Sequence, residues 1–249
     1  MREIITAGER PDLKKAAVAA LRGEWPAFVL HDAVSNTHRQ AVGEYFARYD
    51  VMLVEDGEVL ALAVAVALRW DGVVSTLPDG YDGALVAAVT EHESGVAPDT
   101  VCVMSATVRP DRARGGLAGV MLTALRERAA DAGLTRVIVP VRPTLKARYP
   151  LTPMADFHRW TRADGLHLDP WIRTHQRLGA EILAPAPNSM VVTGTVGEWE
   201  DWAAMAFPQS GHYVVPGALD LVEIDRERDH GVYRETNLWM RHPDIAASS

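Results

Sequence analysis

The sequence predicts one mixed α/β domain, a central sheet with flanking helices, and three observations carry that expectation. Apolar, β-branched runs at residues 51–54, 59–68, 101–108 and 136–141 alternate with stretches whose apolar residues recur at helical spacing. Within residues 101–141 the order is strand, turn, helix, strand, which implies two parallel neighbours joined by a right-handed crossover. The third is size: 249 residues with 48% hydrophobic content suffice for a single large core.

Each element has its own signal. Residues 12–22 place Leu13, Ala16, Ala17 and Leu21 on one helical face, and a second helix is expected over residues 37–49, ending near Asp50. Residues 51–54 and 59–68 are strands joined through Glu55-Asp56-Gly57-Glu58, whose Asp-Gly step favours a hairpin turn. Residues 70–98 are rich in Gly, Pro and Asp and read as an insertion holding a helix at about 81–93. The central strand stops at Pro110, and Ala118, Met121, Leu122, Leu125, Ala129 and Ala132 then form an amphipathic helix closed by Gly133. Prolines at 140, 143, 150 and 153 prevent regular structure in the elaborated loop 140–167 until a short turn near Ala155. In residues 168–182, Asp169 caps a helix, Pro170 suits its first turn, and Trp171, His175 and Leu178 share a face before Gly179. Residues 190–195 and 214–224 have strand character, separated by a cluster of Glu198, Trp199, Asp201, Trp202 and Phe207.

Composition excludes several classes of function. A net charge of -8 disfavours nucleic acid as a partner. The single cysteine, Cys102, excludes an intrachain disulfide and a C-x-x-C metal pair, and its place in the central strand marks it as a core thiol. Nine histidines form no H-E-x-x-H, and no G-x-S-x-G elbow is present, so neither a metal nor a serine nucleophile is expected. The most apolar run, residues 59–68, is too short to span a bilayer, and the N-terminus is unlike a secretory signal. A cytoplasmic protein with no membrane partner is the expectation.

The most informative stretch is residues 99–122, DTVCVMSATVRPDRARGGLAGVML. A strand feeds a helix through a turn in which Gly115 and Gly116 let a ligand approach the main chain, while the first helical amides point outward. That geometry suits a phosphate or pyrophosphate, with Arg109, Arg112 and Arg114 adding positive charge. No G-K-S or G-K-T follows the glycines, and they do not form G-x-G-x-x-G. The stretch resembles the coenzyme A pyrophosphate loop of the GCN5-related N-acetyltransferase (GNAT) family, V-x-P-x-x leading into R-G-x-G-x-G or R-G-x-G-x-A. Val108, Pro110, Gly116 and Ala118 fall on matching positions; the family's Arg or Gln falls on Ala113, and Arg114 is read as its substitute.

The resemblance covers residues 40–195, with 196–249 as a C-terminal extension. It implies a GNAT-like fold and transfer of an acetyl or other short acyl group from acetyl-CoA or another acyl-CoA to the amine of a small molecule, and it allows a homodimer. It implies that Val108, Arg109, Arg114, Gly115, Gly116, Leu117, Ala118 and Gly119 hold the coenzyme, with the backbone of residues 105–108 aligning the thioester. His175 occupies the position of a family tyrosine that protonates the departing thiolate, and Ala180 that of a phenylalanine. His175 is thus a candidate general acid, or else a histidine that fixes the helix against a loop. The base that such a transfer needs has two candidates near strand ends, Glu198 and Glu223, each otherwise an ordinary surface carboxylate. Arg142, Lys146 and Arg148, in the most basic region outside the phosphate loop, follow the carboxyl end of a parallel strand. They are candidates to bind an anionic group on the acceptor, or else belong to a solvated face or to further coenzyme phosphate contacts. Two other functions remain open: a non-catalytic CoA-binding sensor or structural protein, and an enzyme of different acyl chemistry, such as O- or S-acyl transfer or decarboxylation.

Overall fold

The computed structural model describes residues 2–21, 23, 25–112 and 115–245. The chain opens with β1 (Arg2–Thr6), α1 (Pro11–Leu21), a 3-10 turn at Ala27–His31 and α2 (Ala33–Tyr45). The second helix begins four residues ahead of the expected 37–49. Asp32 supplies its cap, Oδ2 accepting from the Ser35 amide at 2.6 Å. Past Phe46 the chain tightens into a 3-10 turn over Ala47–Tyr49. β2 (Val51–Glu55) and β3 (Glu58–Leu68) form the expected hairpin, with Asp56 and Gly57 at φ 50° and 85°.

α3 (Gly80–Glu93), β4 (Thr100–Val108), α4 (Leu117–Asp131) and β5 (Arg136–Val141) follow. After the proline-rich stretch come α5 (Met154–Phe157), α6 (Pro170–Arg177), β6 (Glu181–Gly194), α7 (Val196–Ala203), β7 (Gly211–Tyr213), β8 (Val222–Asp225) and β9 (His230–Arg241). The strands form one sheet in the order β1-β2-β3-β4-β5-β9-β8-β7, with β6 along the other edge of β9. The β4–β5 pair is parallel and every other pairing is antiparallel.

Two expectations about the C-terminal region need correction. Residues 196–249 are not an extension beyond a finished core, because β9 lies inside the sheet: its last residues pair with β5 and nearly its whole length pairs with β6. The added segment is α7 to β8, inserted between two core strands. Nor do residues 214–224 form one strand. Only Val222–Asp225 pairs, after the break made by Pro216 and Gly217.

The main core gathers the sheet residues of β2 to β5 with Ala84, Leu85, Ala88 and Val89 of α3 and Leu117, Met121, Leu122 and Leu125 of α4. Alternation along β2 sends Met52 and Val54 instead to α1, against Ala17 and Leu21. The inserted segment has its own core, in which Phe28, Trp199 and Tyr233 meet; the Phe28 and Tyr233 rings stand 5.2 Å apart edge to face. Cys102 lies fully inside, and burial holds its thiol protonated. Among the described residues no helix is long and apolar enough to cross a membrane.

Candidate active site

The parallel strands β4 and β5 part early. They pair only through Thr100 with Arg136, Val101 with Val137 and Cys102 with Ile138, whereas β4 runs on to Val108. On the other edge of β4 the register with β3 slips, Val64 facing Ser105 and Ala65 facing Val103, so Met104 is the extra residue of a bulge. A bulge bends and twists its strand. Here it sits just past the last β4–β5 pair and leaves the β5-facing edge of residues 103–108 outside the sheet ladder. A strand edge of that kind can pair with an extended molecule bearing amides.

The parted strand leads into the glycine turn. Pro110–Arg112 is a 3-10 turn, Gly116 takes the left-handed conformation at φ 71°, and α4 starts at Leu117. Among the described residues, a Cβ at Gly116 would meet nothing within 4 Å. The amides of Leu117 and Ala118 precede the first intrahelical bonds, which Gly119 and Val120 make to the Gly116 carbonyl. Positive charge at the turn is partly spent inside the protein: the Arg109 guanidinium reaches Glu58 at 2.8 Å and Asp111 at 3.1 Å, and Arg112 lies 3.7 Å from Glu55. Arg114, the expected phosphate ligand, lies outside the described residues, as does Ala113.

At the carboxyl end of β5 stands a buried polar network. Val141 pairs with Leu238, so Asn237 and Glu235 are the β9 residues just beyond β5. The Glu235 carboxylate accepts from Arg142 Nε at 2.9 Å, from the Tyr233 hydroxyl at 2.8 Å and from Asn237 Nδ2 at 2.8 Å. The Ser189 hydroxyl donates to Asn237 Oδ1 at 2.7 Å and accepts from the Tyr81 amide at 2.7 Å. This last bond pins the start of α3 to β6. Gly80 is required there, since its φ is 62° and a Cβ would fall 2.2 Å from Ser189 Oγ.

No protein-family model matches the chain. It is 26% identical over 268 residues to an arginine N-acetyltransferase of Aspergillus versicolor, across 96% of this chain and 92% of that protein. The loading GNATL domain of CurA from Lyngbya majuscula superposes with a TM-score of 0.60 at 13% identity, over 98% of both chains. The GphF GNAT-like decarboxylase, solved in complex with isobutyryl-CoA, superposes with a TM-score of 0.55 at 13% identity, over 97% of this chain and 98% of that one. The chain has the GNAT fold.

Placed on the GNAT sheet, the residues expected from sequence do not converge. His175 is fully buried, its Nδ1 2.9 Å from His242 Nε2, and the His242 amide donates to the Val137 carbonyl at 3.0 Å. That contact sets the histidine pair at the amino end of β5, opposite to the end where the strands part. Burial first, and His242 second, push His175 down to about 3. Removal from water disfavours the imidazolium that a charged proton donor would need. Glu198 closes a capping box with Thr195 at the start of α7, and the Thr195 amide holds its carboxyl below the ordinary range. Glu223 is an exposed β8 residue 3.4 Å from Arg234. Both glutamates belong to the inserted segment rather than to the parted strands.

The basic residues are corrected in the same way. Arg142 is occupied by Glu235 and by the Gly217 carbonyl at 2.7 Å. Lys146 is wholly buried, its ammonium donating to the carbonyls of Leu219 and Tyr149 and lying 3.4 Å from Asp220, and burial lowers its pKa. These two cations tie the proline-rich stretch to the segment around 217–220, so their charge is not offered to an anionic acceptor. Arg148 alone of the three is exposed.

Two buried aspartates were not anticipated. Asp32 and Asp82 head α2 and α3, and both are buried. Burial, reinforced by the neighbouring Asp32 carboxylate, pushes Asp82 up to about 7. Neither carries a signal in the sequence, since Asp32 lies ahead of the expected helix 37–49 and Asp82 inside the expected helix 81–93. Among the described residues, no group of three or more His, Cys, Asp or Glu side chains is placed to hold a metal ion.

Proposed function

We propose that this protein transfers an acyl group from an acyl-CoA to the amine of a small molecule. The observation that carries the reading is the parting of β4 from β5 at Cys102 and Ile138, with the freed edge of β4 running directly into the Gly116 turn and α4. The coenzyme offers a pyrophosphate and an arm containing two amides. The turn suits the first through helix-start amides, and the freed edge suits the second through strand-like hydrogen bonds. Val108, Arg109, Gly115, Gly116, Leu117, Ala118 and Gly119 line that path. The neutral amine nitrogen attacks the thioester carbon, the carbon–sulfur bond breaks, and the proton that the nitrogen gives up reaches the departing thiolate through solvent, leaving an amide and a free thiol. On this reading, backbone amides of the freed edge near Met104 receive the carbonyl oxygen as it gains charge.

The likeness to an arginine N-acetyltransferase supports an amine acceptor, and amino acids are the first class to assay. The test is free-thiol release from acetyl-CoA across a panel of amines, with product mass determined. Acylated amine with stoichiometric thiol is the expected result. Thiol release without amine product, or decarboxylation of an acyl-CoA in its place, would overturn the reading.

A further inference from the structure

β4 and β5 are two arms joined only near their amino ends, and each carries its own helix. β4 runs through the Gly116 turn into α4, and β5 leads through the proline-rich stretch to α6. The ladder between them ends at the pair of Cys102 with Ile138, so strand pairing does not set how far the arms stand apart beyond it.

The segment after β9 reaches both arms. His242 and Ile245 donate their amides to the carbonyls of Val137 and Thr135, at 3.0 and 2.9 Å, so residues 242–245 lie along the amino end of β5. On the α6 side, His242 Nε2 stands 2.9 Å from His175 Nδ1, and a Cβ at Gly179 would fall 2.9 Å from Pro243 Cγ. On the α4 side, the Arg126 guanidinium donates to two successive carbonyls, those of Pro243 and, at 2.7 Å, Asp244. A planar fork suits two adjacent acceptors in a way that a lysine ammonium does not. Arg241 braces the segment, its Nη2 donating to the Asp244 carboxylate at 2.8 Å, and Ile245 packs on the main core. The other cation of α4 with an ion pair, Arg128, faces Glu9 in the turn after β1. Among the described residues, Arg126 is thus the α4 side chain that hydrogen-bonds to the β5 arm.

We propose that Arg126 is a positioning residue for the coenzyme: by tying α4 to the strap of residues 242–245, and through it to α6, it fixes the separation of the two arms between which the coenzyme is laid. It acts through the strap and touches neither coenzyme nor acceptor. The identity of the ligand rests on the acyl-transfer reading. A chain whose arms spread freely binds less tightly, because the apparent Kd rises as the competent fraction falls. Such coupling is reciprocal, so a ligand lying between the arms must in turn tighten the strap. A fragment that touches one arm alone does not.

The test is calorimetry on the whole chain with two probes. Coenzyme A lies across both arms, whereas 3′-phospho-ADP, its nucleotide half, offers its pyrophosphate to the α4 amides alone. Arg126→Met keeps the apolar stem and removes the fork. We expect it to weaken coenzyme A at least about tenfold and 3′-phospho-ADP less than about twofold, the scale of lost hydrogen bonds to a charged group acting through the competent fraction. The KM for acyl-CoA should rise with that for the amine unchanged, and Arg126→Lys, which can reach one carbonyl, should recover part of the loss. Two further measurements decide if Arg126→Met does not fold. His242→Ala, which frees the strap from α6, should weaken coenzyme A about threefold or more. In the wild-type chain, saturating coenzyme A should slow hydrogen exchange of the His242 and Ile245 amides at least about tenfold, and saturating 3′-phospho-ADP should not. Equal weakening of both probes, no change in either, or equal exchange with the two ligands would overturn the proposal. Coenzyme A bound and weakened as expected, without transfer to any amine, would keep the strap and sink the reaction. Transfer by a protein whose affinity for coenzyme A is indifferent to Arg126 would do the reverse, and a wild-type chain that binds no coenzyme A would overturn both.

Discussion

Two buried titratable pairs stand at opposite ends of β5. At the amino end His175 meets His242 at 2.9 Å, and at the carboxyl end Asp32 stands beside Asp82. Burial acts on both in the same sense, pushing His175 down to about 3, His242 to about 4 and Asp82 up to about 7, each toward its neutral form. Their hydrogen bonding differs. One proton between two neutral rings satisfies the facing nitrogens and leaves His175 Nε2, whereas the aspartates are bonded to each other and each keeps an amide on its other oxygen. The Trp171 ring packs edge-on against His175 at 4.3 Å, as in a core. The aspartates are linked instead to the end where the parallel strands part. The family resemblance made His175 the candidate; its burial against His242 sets it at the end of β5 opposite to the parting of the strands.

Arg142→Ala should have the largest effect in the molecule, since it strands the buried Glu235 carboxylate. A loss of about 3–5 kcal/mol in folding stability is expected, read by urea denaturation. A loss below 1 kcal/mol would mean that the network at the carboxyl end is not held by this ion pair. Gly116→Trp forces a bulky residue into φ 71° over the turn and should weaken coenzyme affinity by at least about tenfold in a protein that still folds. Calorimetry checks this. His175→Phe should leave kcat within about twofold and lower Tm by roughly 2–8 °C, as for a packing change of about 1–2 kcal/mol. A fall in kcat of about 10² with an unchanged Tm would restore His175 as the proton donor.

Stability against pH separates the two ends. The folded pKa of Asp82 is raised, so its contribution is full below about 4 and is lost as pH rises through about 7. The folded pKa of His175 is depressed, so its contribution is full above 6.5 and is lost as pH falls toward about 3. Denaturant unfolding at pH 4, 5.5 and 7 should therefore show Asp82→Asn losing the decline toward pH 7 and His175→Phe losing the decline toward pH 4. If the two variants shift the curve equally at all three values, the pairs do not titrate as the structure implies.

The strands 51–54, 59–68, 101–108 and 136–141 were legible because each is apolar nearly throughout or begins and ends on a marked turn, as at Asp56-Gly57. β9 was not, because its middle reads Arg234-Glu235-Thr236-Asn237, and buried polar residues in a strand look like loop until their partners are known. The phosphate-type turn was legible from Gly115 and Gly116 before a helix. The parting of β4 and β5 was invisible, since it depends on register and on the Met104 bulge. Arg142 and Lys146 looked available for a ligand because sequence shows charge but not the carboxylate or carbonyl that takes it. Asp32 caps α2 through one oxygen, whereas Asp82, inside the first turn of α3, takes the Val191 amide of β6, and neither role could be read without the partner.

The central claim is that acyl chemistry occurs where β4 parts from β5, and a crystal structure of the full chain with coenzyme A tests it most directly. The account predicts the pyrophosphate on the amides of Leu117 and Ala118, the arm along the freed edge of residues 103–108, and the sulfur beside the Met104 bulge, beyond hydrogen-bond reach of His175. Coenzyme bound away from the parted strands, or its sulfur within 3.5 Å, the outer limit of a hydrogen bond, of the His175 ring, would contradict it.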